Sequence, residues 1–199
     1  APAPAPVPAA VAVAVAEPVR EPAPSPRGVT LIETATDRRS LPIDFDPRAF
    51  DALAYLPRAQ ALARASVPDA VLTTFEVSGL FAGDLVDFTA SKEFHADYWF
   101  RSPAKSVADP RLRDEDQDLP CLHYVVVSAK KIETYTADSF RGCREKPLPR
   151  IACPLSDAFR QAKADGLKDP AKAMSISWLS DGWYFNLGDD AGSMSVRCP

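Results

Sequence analysis

Glycine, histidine and long apolar runs are what this chain is short of, and each shortage removes a class of function. Eight glycines in 199 residues leave little material for a loop that cradles phosphate, and none of the glycine-rich phosphate motifs occurs. There are two histidines, His95 and His123, and none of the four cysteines falls in a C-x-x-C pair. A zinc centre of the usual spacing is therefore not expected, nor any other metal or cofactor. No G-x-S-x-G elbow is present, so a hydrolase would have to assemble its nucleophile from scattered parts. The chain has no basic stripe, and its net charge of −4 argues against a nucleic-acid partner. The apolar run "AAVAVAVA" is eight residues long, against roughly 20 for a membrane-spanning helix. No membrane insertion is expected within this chain.

What the chain does have is proline, unevenly spread. Eight of its twenty prolines fall in the first 26 residues, "APAPAPVPAAVAVAVAEPVREPAPSP". Alternating Ala and Pro hold an extended backbone with no face to bury, so residues 1–27 read as a disordered spacer. Such a spacer suits a module held off a membrane anchor or a neighbouring domain. Residues 28–45 read as an irregular lead-in with one short strand at Val29–Glu33.

From residue 46 the patterns are regular. "DFDPRAFDALAYLPRAQALARASV" predicts a helix capped by Asp46, broken at Pro57, and resumed from there with Ala61, Leu62 and Ala65 inward. "AVLTTFEVSGL" and "DLVDFTA" alternate with period two, as does "FHADYWFR". In the last of these, Phe94, Ala96, Tyr98 and Phe100 share one face, and His95, Asp97, Trp99 and Arg101 share the other. Residues 46–103 are thus expected to be a helix followed by three antiparallel strands.

A polar loop over 104–120 contains "DPRLRDEDQDLP", whose alternating Asp114, Asp116 and Asp118 invite a calcium reading. An EF-hand would need Gly and Glu where Leu119 and Val125 stand, so the match fails. Residues 121–152 read as a hairpin turning at Ser128–Lys131, followed by a turn-rich loop. In 153–199 the helix-plus-strands pattern begins again, with a helix over "CPLSDAFRQAKADG" ending at Gly166 and a hairpin turn at Asp181–Gly182. The expected fold is α+β: two diverged αβββ units with an inserted hairpin.

Four scattered cysteines, all in the last 80 residues, fit two disulfides in an oxidising compartment. In the second unit the last strand returns near the helix start, which favours Cys153–Cys198 and leaves Cys121–Cys143 to bracket the hairpin. Sequence allows three connectivities, and a local Cys143–Cys153 bridge is the second choice.

His95 and Asp97 stand two apart on one strand face, where they could share a ligand or a proton. They are too few for a specific metal site, and His123 joins them only if its strand lies close by. Of the aromatics on alternating strands, half build core. The other half, Trp99 and Tyr184, either face outward, where they make recognition anchors, or pack between the two units.

"LPRAQALARASVPDAVLTTFEVSGLFAGDLVDFTASKEFHADYWFRSP", with the later "CPLSDAFRQAKADG", "SWLSDGWYFNL" and a final cysteine, resembles the extracytoplasmic C-terminal regions of some bacterial membrane-anchored proteins. Transmembrane Ser/Thr kinases are among these, and the regions are similar in plan to PepSY or cystatin-like units. The resemblance implies a module outside the membrane that binds or senses and carries no catalytic residue. The expected function is a non-enzymatic binding or sensory module with a protein or peptide partner. Its recognition surface would be His95, Asp97, Trp99, Arg101 and Tyr184. The alternative is an inhibitor or chaperone-like partner of a secreted protease.

Overall fold

The computed structural model describes residues 35–107, 111, 119–137, 142–148, 150–151, 153–179, 182–188 and 192–197. The expected spacer, the strand at Val29–Glu33, most of the acidic loop and Cys198 lie outside the described residues. The elements described below all belong to one unit, Glu33–Pro199.

The described residues form an α+β fold with two α-helices and two antiparallel sheets. The strands are β1 (Thr36–Leu41), β2 (Phe50–Asp51), β3 (Val71–Val77), β4 (Leu80–Ala82), β5 (Leu85–Asp87), β6 (His95–Arg101), β7 (Leu122–Ser128), β8 (Ile132–Ala137), β9 (Ser175–Leu179), β10 (Gly182–Asn186) and β11 (Ser193–Val196). The helices are α1 (Leu56–Ser66) and α2 (Leu155–Ala164). Eight strands form one sheet in the order β1-β8-β7-β6-β3-β9-β10-β11, and β2-β5-β4 form a second, smaller one.

The helix expected from Asp46 does not form. Asp46 closes a turn instead, its carboxylate accepting the Arg48 N–H at 2.9 Å. Phe50 and Ala52 are buried on either side of Asp51, an alternation no helix provides. Asp51 then caps the next turn by accepting from the N–H groups of Leu53 and Ala54. The helix starts only at Leu56, with Pro57 in its first turn, where a missing N–H costs nothing.

The three-strand meander expected after α1 is also rearranged. β6 pairs directly with β3, and the chain between them leaves the sheet as the β4–β5 hairpin. The departure point is Ser78, whose N–H donates to the His95 carbonyl at 2.9 Å while its hydroxyl accepts from the His95 N–H. Gly79 permits the close return: a Cβ there would sit 2.1 Å from Val86 Cγ1. The hairpin turns Phe81 and Val86 inward, with the neighbouring Phe88, to join Phe50, Tyr98 and Phe159 in the main core.

That core lies on one face of the large sheet. Phe75 and Val77 of β3, Ala96, Tyr98 and Phe100 of β6, and Val125 and Val127 of β7 point into it. So do Ile176, Trp178, Trp183 and Phe185 from β9 and β10. Helix α1 lies over β6 and β7, and α2 runs against β11. The Tyr98 hydroxyl, fully buried, donates to the Ala52 carbonyl at 2.6 Å and ties the lead-in to the sheet.

The hairpin turning at 128–131 is present as β7 and β8. It extends the large sheet from β6 rather than standing apart as an insertion. The bridge Cys121–Cys143 is formed, with Cα atoms 5.6 Å apart, which excludes the local Cys143–Cys153 pairing. Cys153 is also disulfide-bonded. Its main-chain oxygen accepts from Trp183 Nε1 at 3.3 Å, and Trp183 pairs across strands with Val196. Among the described residues no helix is long and apolar enough to cross a membrane.

Candidate functional site

The core, both helices and the small sheet occupy one face of the eight-stranded sheet, so the opposite face decides what the molecule presents. Side chains on that face form cross-strand rows, because antiparallel pairing sets one residue opposite another across each strand boundary. One row crosses all eight strands: Ser40, Glu133, Val126, Asp97, Glu76, Ser177, Tyr184 and Ser195. At its centre Asp97 and Glu76 stand directly opposite each other, two like charges at neighbouring positions.

His95 relieves that repulsion. Its Nε2 lies 3.2 Å from Asp97 Oδ2, and its Nδ1 lies 2.5 Å from the Glu93 carbonyl oxygen. Both ring nitrogens therefore face acceptors, which only the imidazolium satisfies with two N–H donors. The hydrogen bond to Asp97 pushes the His95 pKa up to about 9 against the opposing cost of partial burial, with the nearby carboxylates and the Glu93 carbonyl adding to the rise. At neutral pH the ring is a cation paired with Asp97. Farther along the row Glu133 is engaged by Lys131 at 2.9 Å and Arg38 at 3.9 Å.

The expected residues divide into two groups. His95, Asp97 and Tyr184 lie on the open part of the face, each half-buried, and the Tyr184 hydroxyl bonds Ser193 Oγ. Trp99 and Arg101 share the face but are engaged elsewhere. Trp99 meets Tyr124 edge-on at 5.1 Å, Tyr124 stacks on Tyr135 at 4.8 Å, and the Arg38 guanidinium lies 5.0 Å over the Tyr135 ring. These rings pack with Leu122, Ala137 and the two bridged cysteines as a second apolar cluster. Arg101 Nη1 donates to the Cys143 carbonyl at 3.0 Å, and Thr74 Oγ1 donates to Glu145. Among the described residues the disulfide loop thus covers the end of the face around Arg101 and Thr74, while His95, Asp97 and Tyr184 stay partly exposed.

His123 does not join the site. It pairs opposite Phe100, so its ring is on the core side, whereas His95 is on the outer face and pairs with Ser128 near the other end of β7. Among the described residues no group of three or more His, Cys, Asp or Glu is placed to hold a metal ion.

Glu76 and Ser177 belong to the row and escape the sequence reading. Glu76 is visible as an outward position in the alternation of β3. That it meets Ser177 depends on β3 pairing with β9, a hundred residues away. No protein-family model, no curated protein and no solved structure matches this chain.

Proposed function

We propose that the chain is a non-enzymatic, extracytoplasmic binding or sensory module that engages a protein or peptide partner through the partly exposed end of its outer sheet face. The observation that carries this reading is the Glu76–Asp97 pair with its His95 cation, flanked by the hydroxyls of Ser177, Tyr184 and Ser195 on the partly exposed side of the face. His95 sets one cation against the two carboxylates, so the pair keeps a net negative charge that basic side chains of a partner would complement. The formed Cys121–Cys143 bridge supports an oxidising compartment.

The strand order also supports a diverged internal duplication. Each helix precedes a meander, β3-β6-β7-β8 after α1 and β9-β10-β11 after α2, and the two meanders meet through their first strands. On this reading the bridge Cys153–Cys198 closes the second half, since Val196 already lies opposite Trp183 beside Cys153.

Panning a displayed random-peptide library on the domain tests the binding reading. Enriched peptides are expected to carry Lys or Arg and to bind about tenfold more weakly to the Glu76→Gln variant, which keeps the His95–Asp97 pair and whose thermal unfolding is unchanged or improved. Peptides that bind that variant with wild-type affinity, or an unenriched library, refute the assignment.

A further inference from the structure

The two edges of the large sheet are built differently, and the difference points to a second mode of partner binding. β1, at one edge, is blunted. Asp37 adopts a positive φ of 56°, the register slips between Thr36 and Arg39, and Arg38 and Arg39 add two cations. Bulges and edge charges of this kind keep another strand from pairing. β11, at the other edge, has none of these devices. Its sequence is Ser-Met-Ser-Val, its four pairs with β10 run without a shift, and it contains no proline and no charge.

The hydrogen-bond phase shows which groups the edge offers. Leu187 N–H donates to the Gly192 carbonyl at 3.0 Å. In an antiparallel ladder the bonded pairs then fall at every second position, at Phe185–Met194 and Trp183–Val196. The Met174 N–H bond to the Asn186 carbonyl, on the other side of β10, agrees with that phase. Ser193 and Ser195 therefore direct their N–H and C=O groups away from β10. Both residues are exposed, and none of these main-chain groups has a protein partner among the described residues.

We propose that β11 is a strand-addition site, which captures an extended, uncharged segment of a partner protein as a ninth strand of the sheet. Unpaired main-chain donors and acceptors alternating along an edge fit extended backbone and no other ligand class as well. Four residues offer about 13 Å of edge, too little for the roughly 1,200 Å² that a stable dimer buries. A short peptide segment fits that length, with its side chains reaching Tyr184 on the outer face and half-buried Met194 on the inner. The site stands on edge geometry and not on the carboxylate row.

The probe is a displayed library of uncharged heptapeptides, followed by amide NMR of the whole chain with an enriched peptide. The amides of Ser193 and Ser195 are expected to shift and to gain protection from exchange. Ser195→Pro removes an N–H that makes no internal bond, and Ser195→Lys leaves the ladder intact while guarding the edge. Each is expected to weaken binding at least tenfold, and Glu76→Gln to leave it unchanged. Retained affinity in Ser195→Lys, protection elsewhere on the chain, or no enrichment overturns the proposal. So does concentration-dependent protection of Ser195 without peptide, which would assign the edge to a second copy.

Discussion

Between pH 6.5 and pH 4 the free energy of unfolding is expected to fall by about 3 kcal/mol because of one residue, His123. Its side chain is 1% exposed. Nδ1 reaches the Thr136 hydroxyl at 3.2 Å, and Nε2 has no partner among the described residues. Burial first, then the positive charges of Lys105 and Arg39, lower its pKa to about 4 against a weaker pull from Asp37. In the unfolded chain the imidazole titrates near 6.5, so across this window the unfolded state holds the extra proton and stability rises with pH.

Among the described groups with a shifted pKa, His123 is the one that titrates across this window. The folded-state pKa values of Asp69 and Asp87 are lowered from 3.8 by hydrogen bonds, so their contributions are lost mainly below it. His95 is protonated in the folded state throughout it, and its contribution fades mainly as pH rises from 6.5 through about 9. Urea unfolding of wild type and His123→Leu at several pH values checks the assignment. The variant is expected to lose this slope of about 1.4 kcal/mol per pH unit. Should the variant not fold, direct NMR titration of the His123 ring serves instead. A ring that titrates near 6.5 in the folded protein would refute it.

Replacing Cys121 and Cys143 together by serine is expected to cost about 3 kcal/mol, from the loop-closure entropy of a bridge spanning 22 residues. The loss concentrates in the second apolar cluster. The Arg101 anchor to the Cys143 carbonyl loses its fixed partner, and Trp99 becomes wetter while the main core survives. Trp99 is half-buried, whereas Trp178 and Trp183 are buried on the opposite face. A red shift of the Trp99 emission, isolated with Trp178 and Trp183 replaced by Phe, should therefore accompany the drop in urea midpoint. An unchanged midpoint would mean that the loop is held by its other contacts.

Period-two alternation made the faces of β6 legible residue by residue, and with them the adjacency of His95 and Asp97. The turn at 128–131, the start of α1 near Pro57 and the α2 helix were legible from local turn and helix-end chemistry. Alternation says which face a residue takes and nothing about which strand lies beside it. So the β3–β9 pairing, the place of β1 at the far edge, and the neighbours Glu76 and Ser177 were not readable. Asp46 offered a good cap, but burial of Phe50 and Ala52 outweighed it. The strands of "LFA" and "LVD" are too short to hold a seven-residue ladder, and their apolar side chains close over the core instead. Trp99 and Arg101 were placed on the correct face. Their cover comes from a segment some 40 residues later, whose position depends on a disulfide.

The β3–β9 seam has a consequence for how the molecule can be made. The middle of the sheet is closed by chain that a ribosome delivers a hundred residues after its counterpart. Until then Phe75 and Val77 border an open flank with nothing to zip against. Nascent or C-terminally clipped forms would offer that flank to one another, and correct assembly becomes a race between the arrival of the tail and clumping.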